Sequence, residues 1–182
     1  VRGGQEGRQV SPMKKLLSFA LAIALCAPVF AQRGAKIEQT ITMGDAKMSL
    51  NYVSISYGEG KTVGTLLSKE GGDMRKMFNE RMAARPTTQF KTSIDVTCGD
   101  AKLAAGDYDV YFSIDDELVV TMNFKQGDKV TSTKLKLNMA GQHEAKKLLM
   151  CLYSEEAGAG VYLSFGKIEG MISFVPTKKD GK

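Results

Sequence analysis

The side chains best suited to chemistry in this chain are carboxylates that lie close together. Asp107 and Asp109 are followed by the run 115–117, Asp-Asp-Glu. Paired carboxylates can act as acid and base in hydrolysis, and their hard oxygen atoms suit calcium. Asp107 and Asp109 belong to the polar face of an alternating stretch, and the other three belong to a turn. We therefore expect a solvated surface, with no metal and no cofactor, because the calcium-loop pattern D-x-D-x-D-G is absent from the sequence.

Two further patterns imitate catalytic motifs. Gly60-Lys61-Thr62 matches the end of a phosphate-binding loop, but Ile55 stands where the leading glycine belongs, so a solvent loop is favoured. His143 is the only histidine, so a catalytic triad would need it as the base. It lies in the polar segment 140–144, and no local motif marks a nucleophile. We predict no catalytic residue, and a binding role is favoured over an enzymatic one.

A carboxylate-dependent hydrolase stays open as the alternative function. Its catalytic groups would be Asp107, Asp109 or Glu144 acting with Arg85, which requires that two carboxylates share one pocket. If the protein binds a ligand without cleaving it, the same four side chains are the candidate binding residues.

Two cysteines outside the N-terminal region, Cys98 and Cys151, are a possible disulfide. The bridge would suit an exported protein, and it would close a loop of about 50 residues, adding on the order of 4 kcal/mol to stability. The alternative is a pair of free cysteines packed as small hydrophobic side chains.

Short strands must position these groups. In residues 107–114, Tyr108, Val110, Phe112 and Ile114 alternate with polar residues, as in a strand with one buried face. Other candidate strands lie at 36–42, 47–57, 89–96, 118–125, 130–139, 147–153, 161–165 and 170–175. The alternation predicts a mostly β chain, an antiparallel β-sandwich of about nine strands.

One short amphipathic helix interrupts the strands. Met74, Met77, Phe78 and Met82 share one face if residues 73–84 are helical. Pro86 ends this segment, because proline disfavours helical geometry in the residue before it. The predicted apolar face of the helix would pack on the sheet.

The N-terminal region predicts export. Residues 13–31, MKKLLSFALAIALCAPVFA, combine two lysines, a short apolar core and small residues before a cleavage position after Ala31. Lipid attachment at Cys26 is disfavoured, because Leu25 stands where a small residue is required. We interpret residues 1–12 as a misassigned gene start, 13–31 as a signal peptide and 32–182 as a single domain in the periplasm or outside the cell.

The distribution of charge along the chain excludes some classes of binding partner. The formal net charge of +5 lies largely in residues 1–31, and the remaining lysines are spread along the chain, so no nucleic-acid partner is expected. We expect no stable membrane insertion after signal cleavage. A small outer-membrane barrel is a second alternative, disfavoured because the chain has no tryptophan for aromatic girdles. The leading hypothesis is a soluble, exported binding module for a small ligand, a glycan or an envelope protein.

Residues 90–112, FKTSIDVTCGDAKLAAGDYDVYF, resemble the exported bacterial family known as domain of unknown function 2911. That family has a strand, a glycine turn and an "aGtYslf" strand, which residues 105–112 match. The resemblance covers about 49–174 and implies an exported β fold of unassigned function. The family's "WRtGaNEaT" segment is replaced by ERMAARPTT at 80–88, where only Arg85 and Thr88 correspond.

Overall fold

The computed structural model describes residues 34–57, 61–142 and 144–177. The proposed extension at 1–12, the signal peptide at 13–31 and His143 lie outside the described residues, so those interpretations stay predictions. Within the described ranges, the structure contains no helix with the length and apolarity needed to cross a bilayer.

The described chain is mostly β, as predicted, but the count of about nine strands is wrong. Its twelve strands are β1 (Ala35–Met43), β2 (Ala46–Ser54), β3 (Thr88–Thr92), β4 (Val96–Cys98), β5 (Ala101–Leu103), β6 (Gly106–Ile114), β7 (Val120–Gln126), β8 (Lys129–Lys134), β9 (Leu137–Asn138), β10 (Ala145–Glu155), β11 (Gly158–Gly166) and β12 (Ile168–Pro176). Two predicted strands, at 89–96 and 130–139, are each broken in two, which accounts for part of the difference. Helices α1 (Lys61–Leu66) and α2 (Gly72–Ala84) lie between β2 and β3, separated by one 3-10 turn, Lys69–Gly71.

The strands form two antiparallel sheets. The first has the order β1-β2-β3-β6-β7-β8, and the second has the order β10-β11-β12-β4-β5 with β9 paired to β12. The chain passes from the first sheet to the second between β3 and β4, and it returns between β5 and β6. The stretch containing Asp107 and Asp109 therefore lies on a strand in the middle of the first sheet.

A tyrosine corner secures the return into the first sheet. Tyr108, near the start of β6, donates its hydroxyl hydrogen to the carbonyl oxygen of Ala104 at 2.7 Å. The Ala105 amide donates to Asp95 Oδ1 at 2.8 Å, which ties the two crossings together. The same arrangement of a tyrosine bonded to backbone a few residues upstream occurs at sheet corners in immunoglobulin-like folds. It fixes where β6, and with it the acidic pair, enters the sheet.

Both sheets contribute to one core. Phe90 and Phe124 project from the first sheet and Phe174 from the second, and all three are fully buried. The Phe174 ring is stacked on Phe90 with centroids 4.5 Å apart, and it meets Phe124 edge-on at 6.0 Å. Since the inner faces are packed together in this way, ligands can reach only the outer face of each sheet and its edges.

Helix α2 exists, but its predicted apolar face is wrong. Met77 is 65% exposed, whereas Arg75 is only 4% exposed. The Asn79 side chain donates to the Ile114 carbonyl at 2.8 Å and accepts from the Ile114 amide at 2.9 Å. The helix therefore turns polar side chains towards the end of β6, where they satisfy backbone groups. A pattern that counts only apolar residues cannot detect such a face.

Candidate functional site

A polar groove with a volume of about 510 Å³ crosses the outer face of the first sheet. It is lined by strands β1, β2, β3, β6 and β7 and by the turn after β7. Its residues are Glu38, Thr40, Ser49, Asn51, Gln89, Phe90, Lys91, Asp107, Tyr108, Asp109, Lys125, Gln126 and Gly127. Phe90 and Tyr108 are buried, so the accessible lining is almost entirely polar.

The strand register arranges these side chains in rows. One row places Glu38 opposite Asn51, Asn51 opposite Gln89, Gln89 opposite Asp109 and Asp109 opposite Lys125. Because neighbouring strands lie about 4.8 Å apart, this row is about 19 Å long across its five strands. The groove thus offers an extended ligand a line of hydrogen-bonding groups perpendicular to the strands.

A second row lies next to the first. It runs from Thr40 through Ser49 and Lys91 to Asp107. The hydroxyl groups of Thr40 and Ser49 lie 2.9 Å apart and share a hydrogen bond. The two rows come from alternate residues of the same strands, since successive side chains of a strand point to opposite faces.

Ion pairs neutralise part of the charge in the groove. Lys91 Nζ lies 2.9 Å from Asp107 Oδ1 and 3.2 Å from Oδ2, although the Asp107 side chain is 71% exposed. Within the described part of the chain, no cation lies within ion-pair distance of Asp109, and no carboxylate lies within ion-pair distance of Lys125. Asp109 and Lys125 therefore keep hydrogen-bonding capacity for a ligand, and Ser49, Asn51 and Gln89 add uncharged hydroxyl and amide groups.

The structure brings two of the four candidate binding residues together. Asp107 and Asp109 both line the groove, whereas Arg85 and Glu144 do not. Arg85 caps the C-terminal end of helix α2, where its backbone amide donates to the Arg81 carbonyl at 3.0 Å. Glu144 is exposed just before β10. Arg85 and Glu144 therefore do not belong to one site with the acidic pair.

The acidic turn after β6 has a structural role. Asp115 Oδ1 accepts the Val119 amide hydrogen at 2.8 Å, which closes the turn into β7. Asp116 Oδ1 lies 3.5 Å from Arg75 Nη2 of helix α2. These carboxylates stand outside the groove, as expected for a turn that needs solvation.

The sequence did not identify the groove residues that lie on β1, β2 and β3. Asn51 and Gln89 occupy polar positions in alternating strands, which was a visible signal. Nothing in the alternation shows, however, that β2, β3 and β6 are neighbours. The groove depends on that non-local pairing, so Glu38, Asn51 and Gln89 could be recognised as polar but not as parts of one site.

The possible disulfide between Cys98 and Cys151 is not formed, and both cysteines are free. Cys98 is fully buried on the inner face of β4, whereas Cys151 is exposed on β10. Their thiols belong to opposite faces of the second sheet, so bridging them would require one strand to turn over. Packing as a small hydrophobic side chain applies to Cys98 alone.

Thiol labelling is expected to separate the two cysteines. Burial raises the pKa of the Cys98 thiol to about 12, so at pH 8 it is protonated as well as shielded. In Cys26→Ser, which removes the third cysteine of the chain, a disulfide reagent that reports thiolate release should therefore label one thiol, Cys151, in the native protein and two in denaturant. Cys151→Ser should abolish native labelling and Cys98→Ala should not. Absence of any native reaction in a non-reduced sample would contradict the free-thiol arrangement.

Comparisons with protein-family models, curated proteins and solved structures find no match for this chain. The resemblance to domain of unknown function 2911 therefore stays a prediction. Function has to be argued from the geometry of the chain's own residues.

Proposed function

We propose that this protein is an exported, non-enzymatic binding module, built as a β-sandwich, whose groove binds a glycan. The observation that carries the proposal is the double row of amide, hydroxyl and carboxylate groups along one open sheet face. Export follows from the predicted signal peptide at 13–31, and it would place the groove among envelope polysaccharides.

The chemistry of the groove suits hydroxyl-rich ligands. Sugar hydroxyls both donate and accept hydrogen bonds, and the amides of Asn51 and Gln89 do the same. The free carboxylate of Asp109 adds acceptors at one side, and Lys125 beside it adds donors. A groove of about 19 Å across the strands would hold a short oligosaccharide rather than one sugar. A nucleic acid or other polyanion fits poorly, because Glu38, Asp107 and Asp109 outnumber the two lysines.

One observation favours the alternative hydrolase, since Asp107 and Asp109 share the groove. Two residues apart on one strand, their Cα atoms are separated by about 6.6 Å, so both carboxyl groups can contact the same ligand. Their surroundings favour binding instead. An acid catalyst of this class keeps its proton through burial in an apolar pocket. Both aspartates are exposed, and Asp107 is paired with Lys91.

The binding test uses Gln89→Ala and Asn51→Ala, both in the middle of the groove. Each removes about two hydrogen bonds, so each should weaken oligosaccharide binding about tenfold. The matched control is Gln142→Ala, an exposed amide outside the groove, which should bind as wild type does. Calorimetric titration with peptidoglycan fragments and with neutral hexasaccharides supplies the affinities.

The same preparations separate binding from cleavage. A binding module leaves the oligosaccharides intact over days, and Asp109→Asn changes affinity only. Release of reducing ends that disappears in Asp109→Asn would establish the hydrolase instead. Equal affinities for the wild type, Gln89→Ala and Gln142→Ala would exclude the groove as the glycan site.

A further inference from the structure

The outer face of the second sheet carries several exposed apolar residues, in contrast to the first. Met171 is 61% exposed, and Leu149 and Val175 are also exposed large hydrophobic residues. Cys151 is exposed beside them and Tyr162 is half-buried. Exposed apolar residues that cluster on one sheet face favour an interaction site there.

The register places these residues in one row. Cys151 pairs with Tyr162 on β11, and Tyr162 pairs with Met171 on β12. The row crosses the middle of strand β10. The other odd-numbered residues of that strand from 147 to 155 share the same face, and each is exposed or half-buried. We call the outer face of β10, β11 and β12 the apolar face.

We propose that the apolar face binds the same face of a second copy of this chain. The two-fold axis would lie between the two sheets and run along the Cys151–Tyr162–Met171 row. Each of these three strands then packs against the equivalent strand of the other chain, and the two run in opposite directions. Sheets that pack face to face with aligned strands are an ordinary arrangement in proteins.

Charge complementarity identifies the second copy as the occupant. Lys147 lies four residues before Cys151 and Glu155 lies four residues after it, so the axis brings Lys147 of one copy to Glu155 of the other. Lys147 is exposed, lies within the register irregularity between Ala145 and Leu149, and pairs with Ser56 rather than with a residue of β11. An isologous interface needs such self-complementary pairs.

The rows on either side of the axis are also complementary. The axis brings Leu149 of one copy to Tyr153 of the other, an aliphatic residue against an aromatic one. It also brings Glu169 of one copy next to Ser173 of the other, so that two polar residues face each other. These matches follow from the pairing of Leu149 with Ser164 and of Ser164 with Glu169 in one row.

The acceptor at Glu155 is already fixed in place. Its Oε1 accepts hydrogen bonds from Tyr153 Oη at 3.0 Å and from Ser173 Oγ at 3.1 Å. The Tyr153 ring lies over Gly160, where a β-carbon would come within 2.3 Å of it. The face around Glu155 is thus held in one conformation before any partner arrives, which lowers the entropic cost of association.

Charge reversal tests this pairing in the full chain. Sedimentation should show a concentration-dependent dimer. Lys147→Glu and Glu155→Lys should each raise the dimer dissociation constant at least tenfold, and the double variant should restore it to within about threefold. Lys129→Glu on β8 of the first sheet is the matched control, and it should dimerise as wild type does.

Several results would overturn the proposal. These are a monomer at all concentrations, a dimer indifferent to Lys147→Glu, and a double variant no tighter than either single one. Circular dichroism melts identify variants that fail to fold. The restored double variant also excludes misfolding as the cause of the single losses.

Cross-linking at Cys151 provides an independent readout. Facing sheets lie about 10 Å apart, too far for a direct disulfide between two copies of Cys151. A short bis-maleimide should therefore join two chains of the Cys26→Ser variant, in which Cys151 is the exposed thiol, while an oxidant does not. Met171→Lys should abolish the cross-link, whereas Met77→Lys, at an equally exposed methionine of helix α2, should leave it. No cross-link in the Cys26→Ser variant, or loss with Met77→Lys, would contradict the two-fold arrangement.

Discussion

Phe174→Ala is expected to lower the free energy of unfolding by about 3–5 kcal/mol, the usual cost of deleting a fully buried aromatic ring. Phe174 is the residue of the second sheet whose ring contacts Phe90 and Phe124 of the first. Its ring stacks on Phe90 and meets Phe124 edge-on. Alanine leaves a cavity between the two sheets. Backbone hydrogen bonds within each sheet fix the positions of the strands, so the sheets cannot move together to fill it. Aromatic contacts beyond area burial add to the loss.

Urea unfolding followed by circular dichroism measures this change. Val130→Ala, at an exposed position on edge strand β8, is the control and should cost under about 0.5 kcal/mol. Phe174→Leu should fall between the two, because it fills most of the cavity. A loss below about 1.5 kcal/mol for Phe174→Ala would show that the two sheets do not share the core described here.

The alternation of apolar and polar residues was sufficient to predict the local strands. Residues 107–114 form β6, and Tyr108, Val110 and Ile114 are buried while Asp107 and Asp109 face outward. The break in the predicted strand at 89–96 was not visible. There the Thr92 hydroxyl accepts the Ile94 amide hydrogen, as the chain leaves one sheet for the other. Alternation persists through such a crossing, because both sheets bury their inner faces in the same core.

The site was only half predictable for a related reason. Asp107 and Asp109 are two residues apart on one strand, so their common face follows from local geometry. Gln89 joins them only because β3 pairs with β6, and Asn51 only because β2 pairs with β3. Arg85 is a charged residue in the segment 80–88, and it has no geometric link to the groove. Local patterns therefore identify faces, whereas sites depend on which strands become neighbours.

The two outer faces support different kinds of association. The first sheet presents paired charges and neutral amides, which remain hydrated and can exchange water for hydroxyl-rich ligands at little cost. The second presents Leu149, Met171 and Val175, whose burial alone is favourable. If both proposals hold, two grooves would face outward from a dimer. Avidity for a repeating polymer would follow without any new contact.

Arg75→Met is expected to lower the free energy of unfolding by about 3 kcal/mol, because it removes the guanidinium hydrogen bonds to two backbone carbonyl groups. Arg75 Nη1 donates to the carbonyl oxygen of Leu66, the last residue of helix α1, at 3.3 Å. It also donates to the carbonyl oxygen of Ser68, just before the 3-10 turn. The side chain thus holds α1 and the 3-10 turn against α2. Its Nε has no hydrogen-bond partner among the described residues, so the buried guanidinium already carries an uncompensated desolvation cost.

Two control variants distinguish the stability that comes from the carbonyl hydrogen bonds of Arg75 from the stability that comes from its charge. Lys76→Met changes an exposed cation on the same helix and should cost under about 0.5 kcal/mol. Asp116→Asn removes the ion-pair partner of Arg75, and it should also cost little, because the Asp116 side chain is 93% exposed. Hydrogen exchange should show Arg75→Met releasing the amides of 63–72 first. Equal free energies of unfolding for Arg75→Met and Lys76→Met would contradict this role. Helix α1 would then be held by the backbone hydrogen bonds of the 3-10 turn, without the guanidinium.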